Sequence, residues 1–265
     1  MMNTKTRSLP PTIRTITSTN NEEIKEVAKL ASTKERSTRK LFIAEGTRVC
    51  TTLLQAGMEL EQMYVIDQEH GSQFRPSISE KKITLVSTHV MEKMSQAVTP
   101  SGVLGVFHIP SKPAITKMKS GLVLAKIADP GNLGTLLRTA AAMNKHTVVL
   151  VSTVDPYCPK VVQASAGYIA HLDIFRLDWD TLLKAKAKQQ LTLVALVVSD
   201  GKHPDTIEFK DSLLVVGSEA HGIPEPWLDT CDVHMTLQMP GNIESLNAAI
   251  AGSIALYVAY QQTSI

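Results

Sequence analysis

Five short apolar runs recur along the second half of the chain, and polar stretches with helical spacing separate them. The runs are rich in Val and Leu and lack the strict alternation expected of a strand with one wet face. They lie at 122–128, 147–151, 191–198, 213–216 and 233–237. Buried strands that alternate with helices predict an α/β domain over 121–265, built on a mostly parallel sheet covered on both faces.

The chain closes on a long Ala-rich segment at 245–261 that is apolar on more than one face. Such a helix is usually buried against the sheet or against a second subunit. We therefore expect a final helix that begins near Ser245.

The first half mixes helical and strand patterns. Asn20-Asn21-Glu22-Glu23 supplies a capping residue and first-turn acids for a helix. A second helix passes through Val49 and Leu53 and ends at Gly57. Short strands are predicted at 41–44, 63–66, 83–86 and 103–107. The pattern predicts a small α/β domain over 13–108.

Two polar segments border this small domain. Residues 1–12 lack acidic groups and apolar periodicity, so we expect a disordered tail. A basic, acid-free start also weakly resembles a transit peptide, but it is short and forms no amphipathic helix. Residues 109–120 begin with two prolines within five positions, which is typical of a linker.

Composition narrows the class of protein. The 265 residues suffice for two ordinary domains, and 43% hydrophobic with 20% charged residues is typical of a soluble globular protein. No apolar run approaches the roughly 18 residues of a membrane span. Three scattered cysteines form neither a zinc site nor a disulfide framework, which predicts a reducing, cytoplasmic compartment and no metal.

Charge is divided unequally between the halves. Residues 1–120 hold 17 Lys and Arg against 11 Asp and Glu, a net +6, whereas residues 121–265 hold 10 against 14, a net −4. A basic half favours contact with a polyanion, although ordinary surface variation could also produce the split. The densest basic cluster comprises Lys34, Arg36, Arg39 and Lys40. It is a candidate phosphate-contacting patch, although it could also be a solvated helix end.

A first candidate motif, residues 129–139, follows a strand directly. Its Pro-Gly-Asn turn opens a helix whose free N–H groups and positive dipole end could meet an anion. It is not a phosphate-binding P-loop, and its glycines lack the spacing of a dinucleotide fingerprint. Arg138 stands about two turns after Asn132, so we expect both on or near one face, with Arg138 able to hold a phosphate bidentately.

Two further motifs follow later strands. Residues 215–223 run from a strand into a glycine-bounded loop, where Glu219 could position a partner or cap the next helix and His221 is expected to be exposed. Residues 237–249 place a Pro-Gly-Asn turn before the last helix, where Ser245 and Asn247 would alone suggest caps.

In this order the three motifs resemble the signatures of the SpoU branch of the SPOUT RNA methyltransferases. Those read Asp-Pro-x-Asn-x-Gly-x-x-x-Arg-Thr, then Gly-x-Glu-x-x-Gly, then Gly-x-x-x-Ser-Leu-Asn. One departure is Gln238, where relatives usually carry Pro. The matching positions are Asn132, Gly134, Arg138, Gly217, Glu219, Gly222, Gly241, Ser245, Leu246 and Asn247. Residues 39–48 and 91–106 are similar to the family's substrate-binding domain, a fold shared with some ribosomal proteins.

The resemblance implies a catalytic domain threaded into a trefoil knot. Loops 216–223 and 237–246 would hold S-adenosylmethionine mainly through backbone groups, with Ile223, Met239 and Leu246 flanking the adenine. The implied cofactor-binding residues are Gly217, Gly222, Ile223, Leu237, Met239 and Leu246. Relatives form homodimers through the knotted region and complete the active site across that interface.

The resemblance also implies the chemistry, in-line attack of a ribose 2′-oxygen on the sulfonium methyl. The family gives the arginine matched by Arg138 the role of base, but a guanidinium stays protonated. We expect Arg138 to hold the target phosphate and to stabilise the emerging alkoxide. Asn132 and Glu219 would orient Arg138 and the ribose, while Ser245 and Asn247 would brace the knot.

The expected substrate is ribosomal RNA of the 23S type, because the family's minimal transfer-RNA enzymes tend to lack a separate N-terminal domain. Three alternatives remain if the protein binds RNA. They are a transfer-RNA enzyme, a resistance methyltransferase, and a non-enzymatic RNA-binding protein that keeps the fold. A metabolic α/β enzyme with a nucleotide at 129–138 is a further alternative.

Overall fold

The computed structural model describes residues 13–241 and 244–263. The chain divides into two units, with the boundary in sequence between His108 and Ile109. The tail predicted at 1–12 lies outside the described residues, as do Asn242 and Ile243 of the third motif. Across the described part of the chain, no helix is long and apolar enough to cross a membrane.

The first unit is a five-stranded mixed sheet with helices, in the order β1-β4-β3-β5-β2. Strand β4 pairs in parallel with β1 and β3, and β5 is antiparallel to β2 and β3. The strands are β1 (Arg14–Ile16), β2 (Leu41–Glu45), β3 (Leu60–Val65), β4 (Ile83–Val86) and β5 (Val103–His108). The helices are α1 (Glu22–Lys29), α2 (Thr33–Arg39), α3 (Thr47–Gln55), α4 (Gln68–Ser72) and α5 (Thr88–Met94).

Local sequence explains the first helix of this unit. The Asn21 side chain accepts a hydrogen bond from the backbone N–H of Glu23, and acids occupy the first turn. Ile24 and Val27 are buried three positions apart, in a core cluster that also contains Val90 of α5. The N-terminal cap and the apolar spacing together therefore determine where α1 begins and which face it buries.

The second unit contains a six-stranded sheet whose pairs are all parallel, in the order β11-β9-β10-β6-β7-β8. Its strands are β6 (Gly121–Ala125), β7 (Thr147–Val151), β8 (Asp173–Arg176), β9 (Thr192–Val197), β10 (Ser212–Val216) and β11 (Val233–Thr236). Its helices are α6 (Pro130–Ala142), α7 (Pro159–Ala164), α8 (Trp179–Gln189), α9 (Glu225–Leu228) and α10 (Ala248–Thr263). The predicted parallel α/β fold is confirmed.

Helices cover both faces of this sheet, as the apolar strands predict. On one face, Val123 and Val215 share a core cluster with Leu182 of α8. On the other face, α10 packs closely against both α6 and the sheet. A Cβ at Gly252 of α10 would lie 2.6 Å from Leu136 of α6 and 3.1 Å from Val216 of β10. Met118 is buried in the first cluster, so the segment predicted as a linker contributes a core residue to this unit.

A second close contact joins α6 to α7. A Cβ built at Gly134 would lie 2.4 Å from the Cβ of Ala164 and 2.8 Å from the carbonyl oxygen of Val161. Because backbone cannot move aside as a flexible side chain can, the two helices need glycine at this position to pack.

Replacing Gly134 with alanine is expected to lower the free energy of unfolding by about 1–3 kcal/mol, because overpacking outweighs the better helix propensity of alanine. Urea denaturation measures the change. Gly71→Ala is the matched control, since the nearest atom to its added Cβ lies 3.4 Å away. A Gly134→Ala variant as stable as the wild type would show that the contact is not tight.

Candidate active site

A cavity of about 510 Å³ lies at the carboxyl ends of three neighbouring strands, β11, β9 and β10, and extends to the start of α10. This edge is where parallel sheets bind their ligands. Its apolar wall is formed by Leu196, Val197, Val198, Val216, Leu237, Met239 and Leu246. The contribution of β9 was not predicted, although the rule that ligands bind at strand carboxyl ends would have indicated it.

One wall of the cavity is a tight loop at 217–222. Ser218 and Gly222 exchange two backbone hydrogen bonds of 3.0 Å. A Cβ at Gly217 would lie 2.3 Å from the carbonyl carbon of Gly222, so only glycine lets the loop close. Gly222 itself has a φ of +61°, in the left-handed region that favours glycine. The closed loop presents Glu219 and His221 to the cavity.

The three predicted motifs meet beside this loop through a hydrogen-bond network. The Asn132 amide donates to Oε1 of Glu219 at 2.5 Å, and its Oδ1 accepts from the Asn247 amide at 3.1 Å. The partners are 87 and 115 positions away in sequence. Asn132 is itself fixed at the start of α6, where its backbone N–H donates to Asp129 at 2.8 Å. A polar junction therefore joins one residue from each motif.

The start of the last helix differs from the prediction. Helix α10 begins at Ala248, and Asn247 is its cap, since Asn247 Oδ1 accepts from the backbone N–H groups of Ala249 and Ile250. The helix therefore does not begin at Ser245. Ser245 lines the cavity and makes no hydrogen bond within the described residues, so of the two residues only Asn247 is hydrogen-bonded to another motif.

Arg138 lies apart from this junction, and the expectation that it shares a face with Asn132 is wrong. Six residues turn an α-helix through about 600°, which leaves the two side chains about 120° apart. The side of α6 that carries Asn132 faces α10, where Thr139 and Ser253 share a hydrogen bond of 2.9 Å. Within one chain, Asn132 therefore contacts Glu219 and not Arg138.

Arg138 is exposed, and its guanidinium carbon lies 6.0 Å from the centre of the Tyr168 ring. Among the residues that the structure describes, it makes no hydrogen bond or ion pair. Its donors are therefore available to a ligand from outside this chain's own fold.

Ile223 also departs from its predicted role. Its side chain is buried in the core cluster between the sheet and α8 and does not line the cavity. The reason is the turn at Gly222, after which the chain returns to the sheet. Met239 and Leu246 do line the cavity. The alternative role of Glu219 as a helix cap fails too, because α9 begins after Pro224 without a side-chain cap.

The basic cluster of the first unit separates into different roles. Arg36 is only 1% exposed and donates to the carbonyl oxygens of Leu30 and Ala31, so its prediction as an RNA-contacting residue is wrong. Arg39 is half-buried and donates to the backbone of Glu26 at 2.7 Å. Lys34 and Lys40 are exposed.

The titration of two thiols is strongly perturbed by burial. Desolvation raises the pKa of Cys50 to about 12 and that of Cys231 to about 12, so neither sulfur is a thiolate near neutral pH.

Within residues 13–241 and 244–263, no group of three or more His, Cys, Asp or Glu side chains could hold a metal ion.

Known proteins resemble both units of the chain. The profile of the SpoU rRNA Methylase family matches residues 119–257, and that of the MRM3-like substrate binding domain matches residues 21–105. An uncharacterised tRNA/rRNA methyltransferase from Synechocystis is 33% identical over 94% of both chains. The 23S rRNA (guanosine(2553)-2′-O)-methyltransferase RlmP of Bacillus subtilis is 27% identical, over 92% of this chain and 98% of its own.

A solved structure extends the likeness to three dimensions. The crystal structure of an RNA 2′-O ribose methyltransferase superposes with a TM-score of 0.81 at 28% identity, over 95% of this chain and all of the other. Sequence and fold agree, and the chain belongs to the SpoU rRNA methylase family.

Proposed function

We propose that this protein transfers a methyl group from S-adenosylmethionine to a ribose 2′-hydroxyl of large-subunit ribosomal RNA. The observation that carries the proposal is the junction of Asn132, Glu219 and Asn247 at the rim of a cofactor-sized cavity. It unites the three family motifs in one place. The RNA specificity of RlmP, a relative along nearly the whole chain, supports the substrate class.

The cavity fits the cofactor in size and in charge. Its volume of about 510 Å³ lies in the usual range for small-molecule sites, and its apolar wall suits an adenine ring. Two carboxylates, Glu219 and Glu244, line it, and no Lys or Arg is found among the described residues of its lining. Such a site suits a cationic sulfonium better than a nucleotide phosphate, which disfavours the metabolic enzyme. When bound, S-adenosylmethionine supplies a methyl group on positively charged sulfur.

The protein's own residues would align and polarise the RNA. The Asn132 amide is held on both sides, by Glu219 and by Asn247, so it offers a fixed polar surface to the ribose. The exposed guanidinium of Arg138 would hold the target phosphate and stabilise negative charge on the 2′-oxygen. Because Arg138 does not join the junction of its own chain, we propose that it serves the site of a second copy.

The exposed face of α10 supports this assembly. Four large apolar side chains follow each other at helical spacing on one face, and all are exposed in the single chain. They are Ile250, Ile254, Tyr257 and Tyr260. A continuous apolar stripe of this kind marks an association surface. We propose that a second copy covers this stripe, so that the protein forms a homodimer through its C-terminal region. The same proposal includes the trefoil knot that the family resemblance implies for this region.

Replacing Ile254 with Glu is expected to convert the dimer to monomer at micromolar concentration, because a charge would be buried in an apolar contact. Sedimentation velocity measures the mass, and activity should fall with it. The control is Lys188→Glu on α8, an exposed position on the other side of the sheet. An Ile254→Glu protein that stays dimeric would move the interface elsewhere.

We further propose that the first unit binds RNA phosphates through Lys34 and Lys40. Arg39 would contribute less, because its guanidinium already donates to the backbone of Glu26. Phosphate contacts of this kind position an RNA without reading its sequence. The free cysteines suit a reducing compartment such as the cytoplasm.

The test is a methyl-transfer assay with purified protein, tritiated S-adenosylmethionine and either large-subunit ribosomal RNA or total transfer RNA. We expect label in the ribosomal RNA, in alkali-resistant dinucleotides, because a 2′-O-methyl group blocks backbone cleavage. Label in transfer RNA alone would favour the second candidate, which the joint tRNA/rRNA name of the Synechocystis relative keeps open. Cofactor binding without transfer to either RNA would contradict the proposed reaction.

A further inference from the structure

A small exposed patch of three side chains, Arg138, Tyr168 and His171, lies on the second unit outside the cavity and the junction. The Arg138 guanidinium carbon is 6.0 Å from the centre of the Tyr168 ring. The His171 ring lies on the same tyrosine, with centres 5.7 Å apart and planes inclined by 31°. Neither the cavity nor the junction requires an aromatic ring at this position.

We propose that Tyr168 is a stacking platform for one unpaired nucleobase of the RNA substrate, next to the ribose whose phosphate Arg138 holds. The inference rests on the proposed function and adds a binding subsite to it. Its ligand is a single-stranded or splayed-out nucleotide, with no preference required among the four bases.

The fold holds the platform rigidly. Glycine at 134 lets α7 lie directly on α6, so the segment that follows α7 is fixed relative to Arg138. Ala166 and Gly167 both have a left-handed φ, of 51° and 81°, and turn the chain into the short helical turn Tyr168–His171. Ile169 is 2% exposed and anchors that turn in the core. Tyr168 is thereby directed outward while its neighbour points inward.

The exposure of Tyr168 suits a ligand better than a structural role. The side chain remains 36% exposed, and its hydroxyl makes no hydrogen bond within the described residues. Fixing an aromatic ring before binding removes an ordering cost that a flexible side chain would incur. The ring therefore has a preorganised surface that the fold of this chain does not use.

The chemistry of the patch matches RNA better than protein. Proteins recognise unpaired RNA bases by stacking them on Tyr, Phe, Trp, His or the plane of Arg, and the backbone on the same side is held by cations. The patch combines a ring for a base with a guanidinium for the adjoining phosphate. A ribose held at Arg138 has its own base, or its neighbour's, within reach of a ring 6.0 Å away.

Two other roles for Tyr168 make different predictions. If the ring only positions Arg138, its loss would lower kcat by far more than it weakens RNA binding. If it packs against a second copy, its loss would weaken the dimer. Stacking predicts weaker RNA binding with the dimer and the cofactor affinity intact.

The experiment compares Tyr168→Ala, Tyr168→Leu and Tyr168→Phe in the full-length protein. The probe is a large-subunit ribosomal RNA fragment that the wild type methylates or, failing methylation, binds. We expect Tyr168→Ala and Tyr168→Leu to raise the Kd and KM for RNA roughly 5- to 100-fold, the loss of one stacked base, with kcat changed less than about twofold. Tyr168→Phe should match the wild type, because stacking needs the ring and not the hydroxyl.

Cofactor Kd and sedimentation complete the test, and both should equal the wild type in all three variants. The inference is overturned by a fall in kcat at unchanged RNA Kd, by a Phe variant as weak as the Ala variant, or by a monomeric Ala variant. The comparison of RNA Kd values does not depend on the proposed function. If the wild type methylates no RNA, that function fails, whereas the RNA Kd of the variants still decides whether a base stacks on Tyr168.

Discussion

Replacement of Arg138 by alanine is expected to lower kcat for ribose methylation by roughly two to three orders of magnitude, the usual effect of removing a preorganised donor from a developing oxyanion. The affinity for S-adenosylmethionine should stay unchanged, since each chain forms its cavity without Arg138, and the proposed contact of Arg138 is with the RNA. Arg138→Lys should still lose at least about tenfold, because an ammonium cannot hold a phosphate bidentately. Single-turnover kinetics at saturating cofactor measure both variants.

The control for charge is Lys188→Ala, which removes an exposed cation from α8 on the other side of the sheet. It should leave kcat and cofactor affinity as in the wild type. Near-full activity of Arg138→Lys would contradict the bidentate contact to phosphate.

A mixing experiment tests whether Arg138 serves the second copy. Arg138→Ala and Asn132→Ala proteins should each be inactive, yet their mixed dimers contain one site with both residues intact. After subunit exchange, about a quarter of the wild-type activity should return, since half of the dimers are mixed and each has one functional site. No recovery would place Arg138 and Asn132 in the site of the same chain.

The second large effect is expected at Gly217. An added methyl group would lie 2.3 Å from the Gly222 carbonyl carbon and 2.4 Å from the Ile223 nitrogen, so Gly217→Ala forces the loop open. The Kd for S-adenosylmethionine should rise by roughly one to two orders of magnitude, which corresponds to a strain of about 1–3 kcal/mol. Isothermal titration calorimetry measures the Kd, and a thermal melt shows whether the variant remains folded at the temperature of the titration.

Gly71→Ala serves as the control, because its added Cβ makes ordinary contacts in the first unit. Its cofactor Kd should equal that of the wild type. If a folded Gly217→Ala protein bound the cofactor normally, the closed loop would not be the binding surface.

The architecture of the second unit could be predicted because its strands are apolar on both sides. The run at 147–151 corresponds to β7 residue for residue. Strand β8 was not predicted because both of its end residues are exposed. Strand β1 was not predicted because three residues are too few to show an apolar period. The start of α10 was misplaced because Ser and Asn both cap helices, and only the hydrogen bonds of Asn247 distinguish them.

The site shows where a sequence pattern stops being informative. The motifs indicated Asn132, Glu219 and Asn247, but their contact depends on which strands are neighbours in the sheet. Four basic residues close in sequence suggested one patch, yet the fold buries Arg36 to satisfy the carbonyl oxygens of Leu30 and Ala31. Tyr168 carries no motif of its own, and only its position beside Arg138 makes it informative.

The most direct test of the central claim is a map of ribose methylation across the large-subunit ribosomal RNA at single-nucleotide resolution. The RNA would come from cells with the protein, without it, and with the Arg138→Ala variant in its place. We expect a 2′-O-methyl mark that disappears with the protein, returns with the wild type and does not return with the variant. Identical ribose methylation of that RNA in all three strains would contradict the assignment.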